Sequence, residues 1–332
     1  MMNRAVQWWD RVQIPLYLVA IALGAVVGLT APGLAPALEH SINPVLALLL
    51  FATFLGVPLV EVGRGFRDVR FLATVLAANF VAVPVLAFAL SRFVADDRGL
   101  MLGVLLVLLT PCIDYVIVFT GLAGGARARL LSAAPLLLTV QMLLLPVYLY
   151  LFAGSDILEV IEVEPFVEAI LVLIFAPLAA AALVQALARR HRAGRAVEHV
   201  MAGAMVPLMM ATLAVVIGSQ IAAVGSEVAA LARVLPLYVA FVAIAVALGK
   251  VTARIGRLDV PATRAVMFST VTRNSLVVLP LALALPASLS IAPLAVVTQT
   301  LVELVAMVIL VRLVPRLAPL APSGSVAPEP LA

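Results

Sequence analysis

Successive apolar runs, each about as long as a membrane is thick, constrain this sequence more than any other feature. A membrane-spanning helix needs roughly 20 mostly apolar residues. The chain of 332 residues is 65% hydrophobic and only 11% charged, which excludes a soluble domain. The sequence therefore predicts an all-α integral membrane protein with ten transmembrane helices, and these spans cover residues 14–30, 44–62, 71–91, 99–123, 130–153, 165–188, 200–222, 233–249, 264–285 and 291–314.

The basic residues alternate between the loops on the two sides of these spans. Seventeen of the 21 Lys and Arg residues fall on the side that holds both termini, and three fall on the other side. Because cytoplasmic loops are enriched in Lys and Arg, we expect both termini to lie in the cytoplasm and the protein to lie in the cytoplasmic (inner) cell membrane. The lipid bilayer is thus its surroundings, and nucleic acid is not an expected partner.

The spans divide into two sets of five around the acidic segment 154–164. An odd number of spans in each half gives the second half the opposite orientation in the membrane, and inverted repeats of this kind are common in secondary transporters. The sequence predicts a first repeat at residues 1–153, a second at 154–315, and a disordered Pro/Ala-rich cytoplasmic tail at 316–332.

Spans four and nine, the fourth helix of each half, are interrupted. Span four contains Thr-Pro-Cys-Ile-Asp at 110–114, and span nine contains Ser-Thr-Val-Thr-Arg-Asn-Ser at 269–275. Pro111 removes a backbone donor and breaks or kinks its helix. Prolines also occur in other spans, among them spans two, three, five, six and seven, so a proline alone is weak evidence. A matched pair of interrupted helices, however, indicates a solute site at mid-membrane.

Arg273 is the residue of the predicted spans that is least favourable to place inside a membrane. An arginine at a helix centre costs about 2.5–3.5 kcal/mol on insertion scales, so it should face a cavity or a counter-charge. Asp114, on the equivalent helix of the other half, is the first choice of partner, and Glu303 in span ten is the second. The alternative is that Arg273 reaches the membrane surface from a misplaced span.

Cys112 is the one cysteine of the chain, which excludes an intramolecular disulfide. A lone cysteine in an apolar helix is most often a packing residue. Its place beside a helix break gives the thiol access to a polar cavity, and soft sulfur prefers thiophilic species. One sulfur holds such a species weakly, as a carrier requires.

Several stretches together resemble one transporter family. They are "LAANFVAVPVLAFAL", "GLMLGVLLVLLTPCIDYVIVFTGLAGG", "NSLVVLPLALALP" and "QTLVELVAMVILVRLVPRL". They resemble the yeast-type arsenite-efflux permeases, a branch of the bile acid/sodium symporter superfamily. The resemblance implies ten helices in two inverted repeats with broken, crossing helices four and nine. It also implies that Cys112 is the cysteine required for arsenite transport, and that Asn79, Pro84 and Glu303 occupy family positions.

The sequence departs from that family at several positions. Phe80 stands where the family usually has tryptophan, and residues 119–121 replace a tryptophan and an asparagine–aspartate pair. Arg273, Asn274, Ser275 and Leu276 replace a run of two asparagines, phenylalanine and glutamate. The polar sodium-site motifs of bile acid transporters are not evident either, so sodium coupling is not favoured.

These observations predict a secondary transporter, not an enzyme, that needs no cofactor. It would export arsenite or a related thiophilic metalloid, with Cys112 as a transient arsenic ligand and proton antiport through Asp114 or Glu303. Arg273 would hold a carboxylate or thiolate ionised. The alternatives are a carrier of small organic anions, bound by Arg273, and a receptor with a transporter fold. The predicted site residues are Asn79, Pro111, Cys112, Asp114, Arg273, Asn274 and Glu303.

The charge pattern makes the topology testable with reporter fusions. Fusions after Gly154 and after Ala287 should report the outer face of the membrane, because both positions follow an odd number of spans. A cytoplasmic signal at either position would contradict the division into five plus five.

Overall fold

The computed structural model describes residues 4–56, 68–113, 115–154 and 171–320. These residues form thirteen α-helices and no strand. The helices are α1 (Arg4–Thr30), α2 (Ala35–Gly56), α3 (Val69–Ala77), α4 (Val83–Ser91), α5 (Arg98–Leu108), α6 (Tyr115–Leu122), α7 (Arg127–Ala153), α8 (Ala176–Ala188), α9 (Arg192–Ser226), α10 (Val228–Ile255), α11 (Val260–Val271), α12 (Ser275–Leu283) and α13 (Ala292–Leu317).

Six helical stretches in the described part of the chain are long and apolar enough to cross a membrane, and they are Pro32–Gly56, Val69–Val94, Arg127–Ala153, Arg192–Ala222, Val228–Ile255 and Ala292–Leu317. Shorter apolar helices accompany them, among them Arg98–Leu108 and Ala176–Ala188. Large apolar side chains remain exposed on these helices, such as Leu143 at 69% and Leu183 at 62%, as expected for a lipid-facing surface. The prediction of an all-α, multi-pass membrane protein is confirmed, and the count of ten spans remains a prediction.

The third predicted span is continuous but changes its winding in the middle. A π-helical turn, Ala78–Ala82, joins α3 to α4, and Pro84 follows it. Proline has no backbone N–H, so the carbonyl of Phe80, four residues earlier, lacks its helical donor. The hydroxyl of Tyr148 in α7 donates to that carbonyl. The wide turn also places Asn79 in the protein interior, where it is fully buried.

The helices pack into two groups. Helices α1, α2, α8 and α9 pack mainly on one another, and helices α3–α7 and α10–α13 form the second, larger group. At the centre of the larger group lie α5 and α11, in which every residue of Gly99–Leu108 and Ala262–Val271 is buried. Both helices begin at an aspartate cap: Asp97 accepts from Leu100 N and Asp259 accepts from Ala262 N.

Charged contacts collect at the two ends of the larger group. Arg233 bonds Asp96 at one end, and this hydrogen bond lowers the pKa of the Asp96 carboxyl from its ordinary value. Arg129 contacts Asp259 and Asp68 at the other end. The loops that the charge pattern assigned to one side therefore do meet at one end of the molecule, although the compartment each end faces remains a prediction.

Glycines allow α1 to pack tightly against α9. A Cβ added at Gly24 would lie 2.5 Å from the carbonyl oxygen of Ala214, and one added at Gly28 would lie 2.4 Å from that of Gly218. Backbone atoms cannot move away as a flexible side chain can. Gly24 and Gly28, four residues apart on α1, thus serve packing within the chain.

Gly24→Ala should therefore lower the unfolding temperature of the purified protein in detergent. The added methyl group overpacks the α1–α9 contact, a change that typically costs about 1–3 kcal/mol. Gly33→Ala is the matched control, because a Cβ there meets no atom within 4 Å. Equal unfolding temperatures for the two variants would contradict the tight contact.

Candidate functional site

The two interrupted helices cross, and their breaks are hydrogen-bonded to each other. Helix α5 ends at Leu108 and α6 begins at Tyr115, and α11 ends at Val271 and α12 begins at Ser275. Between them Pro111 and Arg273 form an isolated antiparallel bridge. Cys112 N donates to Thr272 O over 3.1 Å, and Asn274 N donates to Thr110 O over 2.8 Å. The breaks predicted near residues 110–114 and 271–275 thus lie in direct contact.

The breaks leave several carbonyls without their helical donors, among them those of Leu108 and Ser269. In a continuous helix Leu108 O would accept from Cys112 N, four residues later, and Ser269 O would accept from Arg273 N. Cys112 N bonds Thr272 O instead. Arg273 N bonds the carboxylate oxygen Oε2 of Glu303 over 2.8 Å. Carbonyls buried in a membrane protein need another donor.

The Arg273 side chain supplies that donor at both carbonyls. Its Nη1 donates to Leu108 O over 3.3 Å, and its Nη2 donates to Ser269 O over 2.6 Å. Nη2 also donates to Asn79 Oδ1 over 2.9 Å. The whole residue is buried at 0% exposure, and its guanidinium carbon lies 5.6 Å from the ring centre of Phe241. Arg273 therefore faces the protein interior, which excludes the alternative that it reaches the membrane surface.

Glu303 accepts hydrogen bonds from three donors. Besides Arg273 N, they are Gln299 Nε2 at 2.6 Å and the Tyr115 hydroxyl. Glu303 is fully buried. Among the described residues the Arg273 guanidinium forms no ion pair, so Glu303, the second choice of partner, bonds the backbone of Arg273 and not its charged group.

The side chains of Asn79 and Asn274 both bond the second interrupted helix. Asn79 Nδ2 donates to Val75 O, one turn earlier in the chain, and to Ser269 Oγ over 2.9 Å. Asn79 Oδ1 accepts a hydrogen bond from Arg273 Nη2. Asn274 caps α12, with Oδ1 accepting from Val277 N at 3.4 Å. Asn274 Nδ2 and Arg273 Nε have no hydrogen-bond partner within the described part of the structure.

Six of the seven predicted site residues meet at this crossing: Asn79, Pro111, Cys112, Arg273, Asn274 and Glu303. Cys112 is buried at 0% exposure. Asp114 lies outside the described residues, so its predicted contact with Arg273 remains a prediction.

Tyr115, Gln299 and Ser269 also bond residues of the crossing, and none of them was predicted as a site residue. Gln299 stands four residues before Glu303, a spacing that places both on one helix face, and this signal was available. Tyr115 and Ser269 had no such signal, because their roles depend on the crossing of distant segments.

Comparison with known proteins identifies the family. The model of the sodium bile acid symporter family matches residues 43–227, more than half of the chain. The chain belongs to the sodium bile acid symporter family. No curated protein matches the sequence at a significant level. Members of this family are transporters and not enzymes, so the expectation of a membrane transporter for a small solute is confirmed at that level.

The match includes Asn79 and Cys112 but ends before Arg273 and Glu303. Membership in the family therefore decides neither the arsenite branch nor the coupling ion.

Proposed function

We propose that this protein is a secondary active transporter that exports arsenite or a related thiophilic metalloid in exchange for protons. It has ten spans in two inverted repeats, lies in the cytoplasmic membrane and keeps both termini in the cytoplasm. The paired bonds at the crossing support the repeats: exchanging the halves turns Cys112 N→Thr272 O into Asn274 N→Thr110 O. The aspartate caps of α5 and α11 support them as well.

The position of Cys112 is the observation that carries the proposed solute. Its thiol belongs to the short segment between α5 and α6, and its amide is bonded to the other interrupted helix. Any movement that separates the two interrupted helices at their crossing therefore also moves the thiol. Soft sulfur selects a soft centre over hard oxygen-ligated ions.

Binding would be a simple ligand exchange. A sulfur–arsenic bond forms and an arsenic–oxygen bond breaks, while the thiol proton leaves with the hydroxyl group as water. No electron is transferred. Water reverses the exchange, so a single thiol can release the solute on the other side.

The main alternative solute is a small organic anion. Arg273 Nε has no partner among the described residues, so its N–H is available to an anion. Three other hydrogen bonds of this guanidinium already go to protein oxygens, which favours a structural cation over an anion receptor.

Cys112→Ser should abolish arsenite and antimonite uptake into everted membrane vesicles, because a hydroxyl is a poor ligand for a soft centre. The vesicles are tested with both metalloids and with a panel of organic anions, under imposed proton or sodium gradients. Variant and wild type are compared at equal abundance in the membrane. Normal metalloid uptake by the variant would contradict the proposal. Uptake of organic anions that is lost in Arg273→Leu and kept in Cys112→Ser would establish the alternative.

The proton is proposed to bind at Glu303, with Tyr115 responding to it. The Tyr115 hydroxyl lies within hydrogen-bond distance of both Glu303 Oε1 and Arg273 O, the latter at 3.2 Å. A hydroxyl has one proton to donate. When Glu303 is a carboxylate, Tyr115 donates to it. When Glu303 is protonated, it can donate to Tyr115, whose own proton then goes to Arg273 O.

Glu303→Gln should therefore eliminate uptake driven by a proton gradient, because an amide cannot take up the proton. Solute exchange without a gradient should persist. Tyr115→Phe should shift the pH profile of uptake, and Tyr148→Phe is its control, because that hydroxyl bonds a carbonyl away from Glu303. Proton-driven uptake that survives in Glu303→Gln would exclude Glu303 and leave Asp114 as the proton carrier.

A further inference from the structure

The guanidinium of Arg273 lies where the C-terminal ends of two half-helices converge. Leu108 is the last residue of α5, and Ser269 belongs to the last turn of α11. Their carbonyl oxygens point at the guanidinium, and the amide oxygen of Asn79 is the third oxygen around it. The C-terminal end of a helix carries the negative end of its dipole, so both ends favour a cation here.

An oxygen set of this kind is suited to a metal cation. Backbone carbonyls and side-chain amides are ligands of hard cations. In secondary transporters with broken helices, unwound carbonyls and half-helix C-terminal ends are where sodium or protons bind. The family to which the chain belongs has sodium in its name. In this chain, however, these three oxygens accept from Arg273, and a sodium ion does not fit among them while the guanidinium is present.

We infer that Arg273 is a tethered replacement for a coupling sodium ion. Its fixed charge satisfies the carbonyls freed by the two breaks, so the crossing forms without an ion from solution. The inference concerns the ion and does not depend on whether the solute is a metalloid. It also accounts for an arginine that, among the described residues, donates three hydrogen bonds to neutral oxygens.

Two consequences follow. The wild-type protein should show no specific stabilisation by sodium at the crossing. Removing the side chain should expose the three oxygens again and leave room for an ion with its water, so Arg273→Ala should gain a dependence on sodium that the wild type lacks. Arg273→Met keeps much of the volume filled without charge, and it should lose stability without gaining that dependence.

The experiment measures unfolding temperatures of the purified full chain in detergent. Sodium chloride is titrated against choline chloride at constant ionic strength, which separates ion binding from screening. We expect no difference between the salts for wild type and for Arg273→Met. Arg273→Ala should unfold at a lower temperature in choline and recover in a saturable manner with sodium, by about 2 °C when the sodium concentration is tenfold above the dissociation constant of the site.

Arg264→Ala is the matched control for loss of a buried arginine. Arg264 is 6% exposed and donates to the backbone oxygens of Ala123, Gly124 and Ala318, away from the crossing. It should lose stability equally in both salts. Sodium-specific recovery in Arg264→Ala as well would overturn the inference, since sodium would then compensate for any lost arginine.

Two further outcomes would also overturn it. One is a folded Arg273→Ala that unfolds at the same temperature in both salts. The other is a saturable, sodium-specific rise in the unfolding temperature of the wild type. This wild-type measurement tests the inference even if Arg273→Ala yields no folded protein. Because unfolding is measured without solute, failure here is distinguishable from failure of the metalloid proposal, which is tested by uptake.

Discussion

Backbone carbonyls that lose their helical donors inside a membrane need other donors, and this need organises the whole crossing. Neither lipid nor bulk water supplies hydrogen bonds at that depth, so an unpaired carbonyl costs several kcal/mol. Here the amides of Cys112 and Asn274 are used across the bridge, and the guanidinium of Arg273 bonds the carbonyls of Leu108 and Ser269. The free-energy cost of burying Arg273 is thereby offset by its hydrogen bonds to carbonyls that would otherwise be unpaired.

The helix that contains Asn79 also has a backbone carbonyl that needs a donor from elsewhere. Pro84 deprives Phe80 O of its donor, and Tyr148 replaces it from α7. The π-helical turn that contains Asn79 lies beside this defect. Three helices that are irregular for backbone reasons therefore meet at one point, and their irregularities supply the polar groups that an apolar core otherwise lacks.

Much of this arrangement could be predicted from sequence because its signals are local. Pro111, the lone Cys112 and the intramembrane charges Arg273 and Glu303 indicated the interrupted helices and most of the residues that meet there, whereas Asn79 was expected only from the family resemblance. What could not be predicted depends on register between distant segments. The Arg273 side chain is the clearest case: a search for opposite charges leads to Glu303 as one partner, but Glu303 bonds the backbone N–H of Arg273, and among the described residues the guanidinium bonds Asn79 and two carbonyls. Orphaned carbonyls attract a cation as a carboxylate does, but residue type does not reveal them.

Glu303 and the half-helix ends are connected through a single residue. The backbone N–H of Arg273 bonds Glu303, and its carbonyl lies within reach of Tyr115. Its side chain bonds Leu108 in α5 and Asn79 in the π-helical turn after α3. A change of charge at Glu303 would alter the hydrogen bonds of both the N–H and the carbonyl of Arg273. Arg273 also forms the bridge with Pro111, one residue before Cys112. Proton binding at Glu303 and solute binding at Cys112 would thus act on the same few backbone bonds, which is the physical requirement for coupling one to the other.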